Sequence, residues 1–260
     1  MKILLFWLLS FSCLLAENYI GYSRPYQQVE VAAAKAGILE KIYVKEGDLV
    51  EEGTLLAELA SQEWEILLRV AILQAESQGA IETAKAELQL YQEHAKRLLA
   101  VTDPKYIREA EKNKAMSDVV IAEAKWKMAM EKQAVERLEI EKIRIQLAQL
   151  KIKSPLQGVV RQILYRQGER ITDAKPGVFQ LVQIEKLCVV FYVPLAKMNQ
   201  ISLGQKVDVD FEYPGKRVAG VVEFIDPVAD SASATLKIHI VVPNSEGLLQ
   251  GGIRCKIFLK

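Results

Sequence analysis

Apolar and polar residues follow three rhythms along this chain, and the changes of rhythm divide it. From Glu30 to Ala60 short apolar runs alternate with the turn signals Glu46-Gly47-Asp48 and Glu51-Glu52-Gly53, where glycine supplies a positive φ. Four short strands fit there. From Gln62 to Leu150 the apolar positions recur at alternating three- and four-residue steps. One seam runs Leu67, Val70, Ser77, Ile81, Ala84, Leu88, Tyr91, Ala95, Leu98; a second runs Ala115, Val119, Ala122, Trp126, Ala129, then Ile140, Ile143, Leu147, Leu150. This spacing predicts a coiled-coil stripe. Ala, Glu, Lys, Gln, Leu and Arg, the strongest helix formers, dominate the stretch. The pairs Glu93 with Arg97, Glu123 with Lys127 and Glu139 with Lys142 stand at supporting helical spacings.

The helical stretch has a single proline, Pro104, preceded by Val101-Thr102-Asp103. Thr102 or Asp103 can cap a new helix, and Pro104 suits its first turn. The spacing therefore predicts two helices folded back as a hairpin. At 1.5 Å per residue, about 40 residues make an arm roughly 60 Å long, too long to pack inside one globule of this size.

The strand rhythm returns after the arm, and its first part repeats the segment before it. Gly37 lies ten residues before Gly47, as Gly158 lies ten before Gly168. Ile42 corresponds to Ile163, Asp48 to Glu169, Val50 to Ile171, and Gly53 to Gly177 with three extra residues in the second copy. This is an internal repeat. Neither copy has enough apolar surface to stand alone, so the two are expected to close on each other with the arm inserted between them. From Lys186 to Lys260 five further strand signals follow, with turns at Pro194, Gly204, Tyr213-Pro214-Gly215, Pro227 and Pro243-Asn244. That regular spacing suggests a small barrel.

These residues carry a family resemblance. The run Gly37 to Leu59 looks like the first half of a biotinyl/lipoyl-type domain, and Ile152 to Ile171 looks like the second. A lipoyl-like domain split by a long helical hairpin resembles the HlyD-like membrane fusion proteins, the periplasmic adaptors of tripartite efflux pumps and secretion systems, and specifically their RND-type members. Val193-Pro194, Gly204 to Val207, Asp226 to Asp230 and Gly251-Gly252-Ile253 follow that family's barrel segment. The implied fold class is α+β, elongated and multidomain: a split lipoyl-like β-sandwich (30–61 and 151–185), interrupted by an antiparallel α-helical hairpin (62–150) and followed by a small β-barrel (186–260). The membrane-proximal domain of larger adaptors is expected to be absent or reduced.

The start of the chain reads as an export signal. Lys2 is followed by an apolar run from Ile3 to Leu15 and the small residue Ala16, and about 13 apolar residues are too few to span a bilayer. Cleavage after Ala16 is expected; lipid attachment at Cys13 and an uncleaved signal anchor remain open. The formal charge of +1 gives no electrostatic case for nucleic acid. Cys188 and Cys255 lie in apolar runs, as two buried thiols or as a bridge whose sulfurs sequence cannot place.

Chemistry is sparse. The junction between the two lipoyl-like halves, Leu59-Ala60-Ser61-Gln62, has no lysine to carry a cofactor. His94 sits among charged residues near the arm tip and His239 in a strand, both read as surface positions; Met116, Met128 and Met130 read as helix packing rather than a soft-metal site. No phosphate-loop, nucleophile-elbow or zinc spacing occurs. No catalytic residue, cofactor or metal is assigned.

The resemblance places function at the hairpin tip, where the family contacts a TolC-like outer-membrane channel through an Arg-Leu-Leu-type run followed by a small polar residue. Arg97-Leu98-Leu99-Ala100 matches the run, while Val101, Thr102, Asp103, Pro104 and Lys105 depart from the usual turn. The candidate channel-binding residues are Arg97, Leu98, Leu99, Val101, Thr102, Asp103 and Lys105. The implied partners are an inner-membrane transporter of RND or ABC type and that channel, with trimers or hexamers in the assembled pump. Two competing readings are a carrier subunit of an acyl-transfer or carboxylating enzyme and a structural envelope spacer.

Overall fold

The computed structural model describes residues 18–100 and 108–258. The export segment with Cys13, and Val101, Thr102, Asp103, Pro104 and Lys105 at the expected tip, lie outside the described residues. Asn18–Ala32 (β1), Gly37–Ile42 (β2), Leu49–Val50 (β3) and Leu55–Leu59 (β4) precede the helices Gln62–Glu76 (α1), Gly79–Ala100 (α2) and Glu109–Gln149 (α3). Lys151–Lys153 (β5), Gly158–Ile163 (β6), Arg170–Ile171 (β7) and the long Gly177–Pro194 (β8) follow. A 3₁₀ turn at Leu195–Gln200 then leads to Lys206–Phe211 (β9), Arg217–Ile225 (β10), Thr235–Pro243 (β11) and Arg254–Phe258 (β12).

The internal repeat becomes a two-fold exchange of strands. β2 pairs with β4 of its own half and with β7 of the other; β6 pairs with β8 of its own half and with β3 of the other. The registers are equivalent, Gly37 opposite Ile171 and Gly158 opposite Val50. The Gly168 N–H donates to the Leu39 carbonyl at 2.8 Å, and the equivalent Gly47 N–H donates to that of Val160 at 2.8 Å. The matched acids have a matched task. Asp48 accepts from the Lys45 N–H at 2.8 Å and Glu169 from the Arg166 N–H at 2.9 Å, each closing the turn that its glycine enters at positive φ. One layer reads β5-β4-β2-β7 and the other uses β3, β6 and the first part of β8 with the end of β1. Leu39, Leu56, Leu59, Val160, Ile171, Phe179 and Leu181 fill the space between them.

The second body is a closed barrel of six strands, β1-β12-β9-β10-β11-β8, with β1 returning to β8. Five were legible in sequence. The sixth is the start of β1, Asn18 to Tyr22, which pairs with β12 on one side and continues onto β8 on the other. Leu187, Val189, Phe191, Val209, Phe211, Ile238, Ile240 and Ile257 form its core. Ser23 fastens the closure: its hydroxyl donates to the Gln250 carbonyl at 2.8 Å and accepts from the Ile253 N–H at 3.0 Å. β1 and β8 run through both bodies as one ribbon, with register shifts between Pro25 and Gln27 and between Val31 and Ala32.

The two cysteines do not bridge. Cys188 on β8 faces Arg24 and Cys255 on β12 faces Gly21, so β1 lies between them and they sit three residues apart along it. Strand spacings put their Cα atoms about 14 Å apart, twice the roughly 7 Å that a disulfide tolerates. Cys255 points into the barrel core, whereas Cys188 stands between core residues Leu187 and Val189 and so points the other way. Both are free and buried, and burial pushes the Cys255 thiol up to about 12. A thiolate is the reactive form, so a maleimide should label neither residue in the native protein and both after unfolding, read by peptide mass spectrometry. Native labelling of either would contradict this packing.

Candidate functional site

The arm is an insertion into a β-hairpin. β4 and β5 pair with Glu58 opposite Lys151, and the Leu59 N–H donates to the Leu150 carbonyl at 2.9 Å, so the two limbs leave the sandwich from adjacent ladder positions. Leu150 belongs to the sandwich core and Leu147 and Trp64 pack against it. The Lys35 ammonium lies 4.7 Å over the Trp64 ring. The root is thereby tied to the core through both limbs.

The outgoing limb is two helices, not one. α1 ends at Glu76; Ser77 is extended and α2 begins at Gly79. The sequence seam through Leu67, Val70 and Ser77 is corrected accordingly. Leu67 and Val70 are 42% and 45% exposed, while Trp64, Leu68, Ala71 and Ala75 turn inward. The two-residue break resets the phase, so that the predicted positions Ile81, Ala84, Leu88, Tyr91, Ala95 and Leu98 do face inward along α2. α3 is continuous and its predicted seam holds, with a gap from Ala129 to Ile140. Gln133 sits in that gap and donates to the Ala75 carbonyl at 3.0 Å, satisfying a helix-end acceptor that the break exposes. A polar residue in the seam thus marks where the opposite limb is interrupted.

Between α2 and α3 the helices are locked by small residues. Ala95, Ala115 and Ala122 are buried, and Lys125 reaches across to Glu87 at 2.7 Å, which raises the lysine pKa. Of the predicted helical pairs, Glu139 and Lys142 form an ion pair at 3.0 Å, while the Arg97 Nε donates to the Glu93 backbone carbonyl at 3.3 Å.

The described candidate residues do not share one surface. Arg97 is exposed on the last turn of α2, Leu98 turns half-buried into the seam, and Leu99, 50% exposed, turns to the flank. There Leu99 joins Gln92, Ala95 and Lys96 of α2 and Met116, Val119 and Val120 of α3 around an apolar groove of about 460 Å³. Met116 and Val120 are 53% and 65% exposed. Their apolar character gave no sign of this role, because packing and exposed positions on a helix look alike without the partner's register. The helical spacing assigned Met116 to packing; the structure opens it to solvent.

The histidines form no site. His94 is exposed. His239 is half-buried on the outer barrel face, where burial and then nearby Arg24 and Lys237 hold its pKa below the usual histidine range; Arg24 Nη2 is 3.4 Å from its Nε2 and the Phe224 ring is centred 5.0 Å away. No described helix is long and apolar enough to cross a membrane.

Comparison with known proteins fits this geometry. Residues 27–183 match the family model for the RND MFP barrel-sandwich hybrid domain, and residues 186–260 that for the CusB-like beta-barrel domain. The chain is 29% identical over 231 residues to the macrolide export protein MacA of Yersinia pestis, covering 86% of this chain and 62% of that protein. It is 23% identical over 239 residues to the multidrug resistance protein MdtA of Proteus mirabilis, covering 88% and 55%. It therefore spans less than two thirds of the length of these curated relatives. In fold it is similar to the crystal structure of MacA from Actinobacillus actinomycetemcomitans, with a TM-score of 0.73 at 19% identity over 95% of this chain and 79% of that one. It is also similar to the membrane fusion protein Spr0693 of Streptococcus pneumoniae, with a TM-score of 0.68 at 20% identity over 94% and 98%.

Proposed function

The chain belongs to the RND-type membrane fusion protein family, and from that premise we propose that it is a non-catalytic periplasmic adaptor linking an inner-membrane transporter to a TolC-like outer-membrane channel. One observation carries this reading: two half-domains close by exchanging strands and launch a hairpin from a single β-ladder position. A 41-residue α3 gives an arm about 60 Å long. Such a rod has no role within its own chain. In the adaptor reading it bridges distance, while the sandwich and barrel dock on the transporter and on neighbouring copies, in trimers or hexamers. The energy comes from the transporter, of RND or ABC type, and the chain performs no chemistry of its own. Relatives named for macrolide export and multidrug resistance favour small-molecule cargo over metal ions.

The tip, with Arg97, Leu98 and Leu99 and the residues beyond them, contacts the channel in this reading. Arg97 is exposed, so cysteine there leaves the seam intact. In cells exporting a toxic substrate, Arg97→Cys with a thiol cross-linker should yield an adduct containing the outer-membrane channel. Failure to trap it in cells whose pump works would remove the tip from the contact.

A further inference from the structure

We propose that α1 has two registers against α3: it turns about its own axis by one residue, about 100°, between the broken register described above and one continuous with α2. This goes beyond the adaptor reading and does not depend on it. The observation is a surplus of apolar faces. In the structure α1 packs through Trp64, Leu68, Ala71 and Ala75. Yet Ile66, Leu67, Val70 and Leu73 are exposed. They stand where an unbroken helix would bring them into line with Ile81, Ala84 and Leu88 of the α2 seam. The two stripes lie a single residue apart, Leu67 beside Leu68 and Val70 beside Ala71. One stripe serves each register.

Nothing at the break forces the chain out of the helix. Ser77, Gln78 and Gly79 are all exposed. Gly79, the arm's only glycine, lies outside the left-handed region, and a Cβ on it would meet nothing. The break is held by an exchange of hydrogen-bond partners. In a continuous helix the Gly79 N–H would donate to the Ala75 carbonyl. Here the Gln133 side-chain amide takes that carbonyl at 3.0 Å, and the Ser77 N–H closes the last turn on the Gln74 carbonyl at 3.2 Å. When α1 turns, Gly79 recovers the Ala75 carbonyl and Leu67 and Val70 enter the seam. Gln74 and Ser77 then swing toward Gln133, which keeps polar neighbours. The loss falls at the root, where Trp64 leaves the edge of the sandwich core and the Lys35 ammonium 4.7 Å from its ring. The register of the arm and the packing of its root therefore change together. Packed elements with two discrete arrangements are what carry such coupling.

The test uses the purified full-length protein with Val70→Cys, Ala71→Cys or Ala84→Cys, footprinted with a maleimide and read by peptide mass spectrometry. In the parent background Val70→Cys should label fast and Ala71→Cys slowly. Ser77→Ala, Gln78→Ala, Gly79→Ala and Gln133→Ala together favour the continuous helix, because alanine is the best helix former and the Ala75 carbonyl is released. They should change the labelling ratio of the two positions in favour of Ala71→Cys on the order of tenfold or more, as a shift in population does. Hydroxyl-radical oxidation of Trp64 should rise with it, while Ala84→Cys stays slow. Gly79→Ala alone should move the ratio the same way by less, so the answer does not hang on the fourfold variant folding. Adding Leu67→Glu to the fourfold background should return Ala71→Cys to slow labelling, because a carboxylate without a partner is excluded from the seam. An unchanged ratio in both alanine backgrounds, with melting temperature retained, overturns the proposal. Fast labelling of Val70→Cys and Ala71→Cys alike also overturns it, since α1 then detaches rather than turns. Fast labelling of Ala84→Cys does the same by showing that α2 turns instead.

Discussion

Replacing α1 to α3 with a short turn should give a protein that folds and does not export. The ends to be joined are already neighbours, because the Leu59 N–H donates to the Leu150 carbonyl at 2.9 Å and Glu58 lies opposite Lys151. A connection of about two to five residues closes such a hairpin. Removing the arm takes Trp64 and Leu147 off the edge of the sandwich core, yet Leu39, Leu56, Val160, Phe179 and Leu181 remain enclosed. The loss should be about 1–3 kcal/mol, the scale of uncovering one or two half-buried apolar side chains. Circular dichroism should show the helical signal gone with cooperative melting retained, and drug susceptibility should match a strain lacking the gene. Retained export would show that the arm does not carry the function. Failure to fold would instead show that the strand exchange depends on the hairpin to bring its halves together.

The sandwich was legible because both of its halves repeat one pattern. Gly37 and Gly158, Asp48 and Glu169, Val50 and Ile171 matched in sequence, and the structure pairs Gly37 with Ile171 and Gly158 with Val50. A short-range pattern written twice encodes the long-range pairing. The α2–α3 stripe was legible for a similar reason, since a three-four spacing and its facing seam predict one another. α1 was not. Trp64, Ile66, Leu67, Leu68, Val70, Ala71, Ile72 and Leu73 are apolar around most of the helix, so period alone could not choose the inward face. The missing clue sat on the other limb: Gln133 interrupts the α3 seam opposite the break. The closing strand of the barrel was hidden differently. Asn18 to Tyr22 pair with residues more than 230 positions away, and no repeat announces them. At the site, the Arg97-Leu98-Leu99 run was visible as a motif, but not that its two leucines turn to different faces. The groove needs α3 packed on α2 at a register that no spacing within either helix fixes.

That hidden closure is where a single methyl group should do most damage. Gly21 is the seam residue of the barrel, opposite Cys255 of β12 and opposite Phe191 of β8 at once. A Cβ there would run into the Val190 carbonyl oxygen and come within 2.6 Å and 2.8 Å of the Phe191 ring. Neither neighbour can retreat. The carbonyl belongs to the backbone of a strand paired on both sides, and Phe191 is fully buried in the core. β1 would have to lift from β8, straining the Ser23 bonds to Gln250 and Ile253 one turn of the ladder further on. Overpacking of a core commonly costs about 1–3 kcal/mol, and a clash with fixed backbone stands at or above the top of that range. Gly21→Ala should therefore lower Tm by roughly 10 °C or more, as expected for about 3 kcal/mol in a body of this size. The protein also carries its own reporter of where the damage falls. Cys255 lies directly opposite Gly21 and is fully buried, so opening of the β1 seam should make it react with a maleimide under conditions where the parent does not. Melting unchanged from the parent, with Cys255 still protected, would show that the barrel absorbs the methyl by shifting β12 and that closure at this seam is loose.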